Sequence, residues 1–197
     1  MDAGRSSDFE RFAGWASILA GIAGLGYAVA FVVLKNAGLS GLFLTLAPLL
    51  ATGGLVAVFN RVRAIDSGFA ILAVGLGIIG SLAASTHGAY DLANVLHPPT
   101  LESDLPSAVD PRGFATFGLT GIAVAILAWL AGRTPDLPGW VRPLGLLLGV
   151  VLVVTWLARL IVLDATSLLV LGPALVAGVL SPVFFLGLGA WLLRWRR

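Results

Sequence analysis

The chain contains no cysteine, and a single lysine stands among its twelve basic residues. Lack of cysteine excludes disulfides, thiolate catalysis and cysteine-held zinc or iron–sulfur centres. Histidine is nearly absent as well: His87 and His97 are the only two, and they fall in one segment. Haem held by histidines from separate helices across a membrane is thereby excluded. Charge is scarce. Asp, Glu, Lys and Arg together make up 11% of the 197 residues, against about 25% in a soluble domain. No phosphate-cradling glycine loop with its lysine, no calcium loop and no Gly-x-Ser-x-Gly elbow occurs. Nothing in these residues implies a cofactor. The basic isoelectric point, near 9.7, does not imply nucleic-acid binding either. Net charge is only +2, and the arginines flank apolar runs rather than forming a patch with aromatic partners.

What is abundant is apolar sequence, 58% of the chain, at a mean hydropathy of +1.00. It is organised in runs long enough to cross a hydrocarbon core about 30 Å thick, which takes about 20 residues of helix. Six runs qualify: about 12–34, 39–59, 68–96, 114–131, 141–163 and 167–193. Arg11 and Lys35 bound the first, Asn60, Arg61 and Arg63 close the second, and Arg133 and Arg194 close the fourth and sixth. Such runs are too long for barrel strands, and a helix satisfies its own backbone in lipid. The expected fold is therefore all-α, a polytopic membrane protein folded as one domain: a bundle of six transmembrane helices with an outer loop at 97–113. The partner fixed by composition is the lipid bilayer. The arginine-rich, lysine-poor usage resembles that of small multi-pass membrane proteins of bacteria, and that resemblance implies no activity.

Orientation follows from the distribution of Lys and Arg. With six spans both chain ends share a side. That side collects Arg5, Arg11, Arg61, Arg63, Arg133, Arg142, Arg194, Arg196 and Arg197, whereas the other has Lys35, Arg112 and Arg159. The bias predicts a protein of the cell membrane with both termini cytoplasmic. Trp15, Trp129, Trp140, Trp191 and Trp195 fall at the same ends of their spans, as an interfacial belt requires. Ala28-Val29-Ala30 resembles a signal-peptide cleavage site. The apolar run continues past it to Leu34, so the first helix is expected to be retained.

Lipid tails are as apolar as leucine, so helices in a bilayer associate through close packing at small residues. Ala16, Ala20, Gly24 and Ala28 form one such stripe, and Gly75, Gly77, Gly80 and Ala84 are expected to form another. Pro48 lies within the second run, Pro173 and Pro182 within the sixth. The stretches Leu46–Gly53 and Leu171–Gly178 share a local pattern, which suggests a duplicated hairpin.

Polar residues gather at the predicted outer side. The third run extends beyond the bilayer edge until Pro98-Pro99, and on it His87, Tyr90, Asp91 and Asn94 recur at i, i+3, i+4 and i+7, one face of a helix. The following loop holds Glu102, Asp104, Asp110 and Arg112, and Asp110-Pro111 reads as a helix start. Arg159 sits inside the fifth run, about one turn before Asp164. A charge at that depth snorkels or is paired, and the expected arrangement is an ion pair that fastens the third helix to the fifth, with Asp91, Asp110 and Asp164 as candidate partners.

Three functions follow as expectations. The first is a non-enzymatic module whose outward pocket, lined by His87, Tyr90, Asp91, Asn94 and Arg159, binds a lipid headgroup, a small ligand or a membrane-protein subunit. The second is a membrane-embedded enzyme with His87 and Asp91 as acid–base pair or metal ligands. For a metal, His97 and loop acids would have to complete the set, because His-xxx-Asp supplies only two groups. The third is a small transporter gated by the proline-bearing second and sixth helices.

Overall fold

The computed structural model describes residues 8–98, 116–162 and 167–194. Every regular element among them is helical. Helix α1 (Asp8–Ala28) continues into a π-helical turn, Val29–Val33. Then follow α2 (Ala37–Val62), α3 (Ser67–Leu96), α4 (Phe117–Ala131), α5 (Val141–Ile161) and α6 (Leu168–Arg194). Five of these six, α4 being the exception, are long and apolar enough to cross a membrane. The six expected helices are all present; the described part of α4 has 15 residues, about 22 Å at 1.5 Å per residue. The expected helix start at Asp110-Pro111 lies outside the described residues.

Two helix starts have a clear local cause. Asn36 is extended and its Oδ1 accepts the Leu39 N–H at 2.9 Å. Asp66 does the same for α3, accepting the Phe69 N–H at 3.1 Å. Each side chain satisfies a backbone donor that the first helical turn leaves open. Asp66→Ala is expected to lower stability by about 1 kcal/mol, read as a drop in the thermal unfolding midpoint of the detergent-solubilised protein.

Consecutive helices run antiparallel, each packs on the one before it, and α6 closes the ring against α1. Helix α2 also touches α4 and α6, so it passes nearest the axis. We call the end where α1 begins and α6 finishes the terminal end, and the other the far end. Small residues set the closest approaches. Gly53 of α2 meets Ala16 of α1, and Gly24 of α1 receives the ring of Pro182 of α6. At Gly88 of α3 an added Cβ would lie 2.5 Å from the backbone N of Thr45 and 2.7 Å from the carbonyl O of Gly41. Helices α2 and α3 therefore touch backbone to backbone. The stripe expected on the third helix is only partly realised. Gly77, Gly80 and Ala84 face neighbours, but nothing lies near Gly75, because two residues along a helix turn 75 about 200° away from 77.

The core is uneven along the bundle axis. The most deeply buried leucines, Leu55, Leu130, Leu148 and Leu188, all belong to the terminal half of their helices. Buried hydroxyls bond back to their own helix, Ser17 to the Ala13 carbonyl at 2.7 Å and Thr155 to that of Val151 at 2.8 Å. Toward the far end Phe31, Val33, Leu34, Leu96, Ile161 and Leu168 are exposed. So are large apolar side chains around the outside, among them Ile71, Leu72, Val150 and Val179. A surface this apolar is not that of a water-soluble monomer; it matches a belt in contact with hydrocarbon. The local sequence match between Leu46–Gly53 and Leu171–Gly178 has no counterpart in packing: Gly53 is wedged against α1, whereas Gly178 faces open space.

Candidate functional site

Depth along the helices brings the far-end polar residues level with one another. At 1.5 Å per residue, Tyr27 lies about 28 Å along α1, His87 about 30 Å along α3, and Arg159 about 27 Å along α5. Each is near the limit of a hydrocarbon core about 30 Å thick. Asp91 follows one turn above His87. The i, i+4 spacing read from the sequence is realised as contact: His87 Nε2 lies 3.2 Å from Asp91 Oδ2. The imidazole is largely shielded, while the carboxylate is 41% exposed. The histidine thus engages one carboxylate oxygen and leaves the group open to a further partner.

Tyr27 joins this group, and sequence reasoning missed it. Its phenol is within electrostatic range of both Arg159 and Asp91, and its ring stacks on Phe31 at 5.6 Å between centroids. A tyrosine inside an apolar run carries no charge or spacing to mark it. The nearest signal is structural: a π-helical turn, a feature that often accompanies functional positions, begins two residues later. Helices α1, α3 and α5 alternate around the ring and do not pack on one another. Tyr27, Asp91 and Arg159 therefore approach across the mouth of the bundle rather than along a helix–helix seam.

The expected fastening pair between third and fifth helices does not form within the described residues. Asp91 is taken by His87, and Arg159 is exposed near the end of α5 with no ion pair to Asp91. The cause is distance between elements: α3 and α5 do not pack on each other, and α4 stands between them. Asn94 is half-buried one turn beyond Asp91, and Tyr90 is exposed on the same helix. His97 caps α3 at its exposed end. Among the described residues no three His, Asp or Glu side chains come together to hold a metal, so His97 does not join His87 and Asp91. The other candidates for that set and for Arg159, namely Glu102, Asp104, Asp110 and Asp164, lie outside the described residues, as does Arg112. Ser85, two residues before His87, carries a buried hydroxyl with no hydrogen-bond partner.

A second polar cluster occupies the terminal end, where the sequence offered only topology markers. Arg61 Nε donates to Glu10 Oε1 at 3.1 Å, its Nη2 is paired with the same oxygen, and its Nη1 donates to the carbonyl of Asp136 at 3.2 Å. The guanidinium also lies 5.2 Å from the centre of the Trp191 ring. One side chain of α2 thus ties α1, the α4–α5 connection and α6 together. Arg133 stacks over Trp129 at 3.6 Å. Both arginines are already committed to internal partners, so these two read as fastenings.

The glycine spacing of dinucleotide-binding loops does occur, at Gly75-x-Gly77-x-x-Gly80. It lies in mid-helix with no strand before it, so the phosphate-facing turn that gives the pattern its meaning is absent here. Comparison of the chain with models of protein families, with curated proteins and with solved structures finds no match.

Proposed function

We propose that this chain is a non-enzymatic integral membrane module, with both termini in the cytoplasm, whose far end binds a lipid headgroup at the outer membrane surface. The observation that carries this reading is the position of Arg159. It sits about 27 Å along its helix, exposed and without a carboxylate contact among the described residues, level with the His87–Asp91 pair and within electrostatic range of Tyr27. A guanidinium at that depth is the group that best matches a phosphate, because its fork of N–H donors fits two oxygens at once. The excess of arginine at the terminal end supports the orientation. At the terminal end Arg61 and Arg133 are turned to internal partners.

The test is retention of lipid. The full chain is extracted in mild detergent and native mass spectrometry counts bound phospholipid. Wild type is expected to keep it, and Arg159→Gln to lower the retained fraction roughly tenfold, the effect of one charge-assisted hydrogen-bonded contact. Equal retention by both proteins refutes the reading.

A further inference from the structure

Resting on that headgroup reading, we infer that the far-end cluster selects a zwitterionic amine–phosphate group, as in phosphoethanolamine, with the phosphate on Arg159 and the ammonium on Asp91. The reasoning is one of charge balance. Arg159 and Asp91 carry opposite charges at the same rim, and Tyr27 feels both, yet they form no ion pair with each other. A ligand with only negative charge would gain at Arg159 and be repelled by Asp91. A ligand with only positive charge would meet the reverse. A ligand carrying both signs satisfies both groups at once, and a short one suits, because Tyr27 is within electrostatic range of each. Asp91 is also prepared for this role. His87 engages one of its oxygens and fixes the carboxylate's direction, while its 41% exposure leaves room for an ammonium. An ammonium is a strong donor to such an oxygen. The Tyr27 hydroxyl, within electrostatic range of both charges, can donate to phosphate oxygen. Lys35, the other described cation of this end, is exposed and carries no part of the argument, since no described carboxylate accompanies it.

The same chemistry can arrive as a lipid headgroup or as a free compound, and the experiment separates the two. Purified full-length protein in detergent is titrated with short-chain phosphatidylethanolamine, with short-chain phosphatidylglycerol and with soluble phosphoethanolamine, and bound species are counted by native mass spectrometry. Wild type is expected to prefer phosphatidylethanolamine over phosphatidylglycerol by roughly tenfold. Asp91→Asn should abolish that preference while leaving phosphatidylglycerol bound as well as before or better. Asp91→Glu should keep it, which guards against a variant that merely misfolds. Competition by soluble phosphoethanolamine at equal concentration would assign the site to the free compound, and lack of competition to the lipid; either keeps the amine–phosphate assignment. Equal affinities in wild type, or a preference that survives Asp91→Asn, overturns the inference while the headgroup reading stands. If Arg159→Gln changes neither lipid, the headgroup reading has failed first.

Discussion

Arg61→Gln is expected to destabilise the bundle by about 2–4 kcal/mol, the largest effect of any single polar substitution in the described residues. Breaking a buried ion pair from one side costs about 3–5 kcal/mol, because the remaining charge keeps its desolvation and loses its partner. Here the figure is reduced, since the side chains of Arg61 and Glu10 are 14% and 21% exposed and some water reaches them. It is then raised by the loss of the Asp136 carbonyl contact and the Trp191 ring, the latter contributing about 0.5–1 kcal/mol or more. Glu10→Gln should cost less, because Arg61 keeps the carbonyl and the ring. Combined in a double-mutant cycle under reversible unfolding in mixed micelles, the two substitutions should show a coupling of about 1–3 kcal/mol. Additive effects would mean that the pair does not fasten α1 to α2.

The second large effect concerns a single methyl group. Gly88→Ala places a Cβ against the backbone of Thr45 and Gly41. Backbone cannot swing aside as a flexible side chain does, so α2 and α3 must separate along much of their shared seam. Overpacking of this kind costs about 1–3 kcal/mol, sometimes more, and in lipid the close approach is itself the source of association. Gly75→Ala is the control on the same helix. Nothing lies within 4 Å of its added Cβ, and alanine restricts the unfolded chain more than glycine does. It should be neutral or stabilise by up to about 1 kcal/mol. A shared seam predicts a loss for Gly88→Ala and none for Gly75→Ala; equal losses would place the α2–α3 contact elsewhere.

Much of the architecture was legible because a membrane imposes its own punctuation. Arg11, Arg61 and Arg133 mark the terminal ends of their helices, and the third helix runs to Leu96 as its apolar pattern foretold, stopping before Pro98. The His87–Asp91 contact was readable as well, since i, i+4 spacing is a local property of a helix. Partners brought together by the ring of helices were not. Glu10 and Arg61 are far apart in sequence, and nothing about either shows that α1 and α2 will align them. Tyr27 was hidden inside an apolar run for the same reason. Arg159 was expected to pair with Asp91, Asp110 or Asp164 because a charge in an apolar run needs a partner, but that cost does not reveal that α4 stands between the helices of Arg159 and Asp91. The Gly75 error was of another kind: spacings of two, three and four were read as one face, when only 77, 80 and 84 share it.

The central claim is that the chain threads the bilayer so that both termini lie in the cytoplasm and the Tyr27–Asp91–Arg159 cluster lies at the opposite surface. The chain has no cysteine of its own, so single cysteines can be placed without background. Asn94→Cys marks the far end of α3, and Gly139→Cys marks the exposed connection between α4 and α5, where a side chain meets open space. In intact cells a membrane-impermeant maleimide should label Asn94→Cys at once and Gly139→Cys only after the membrane is permeabilised. Labelling of both from one side, or the reverse order, contradicts the account.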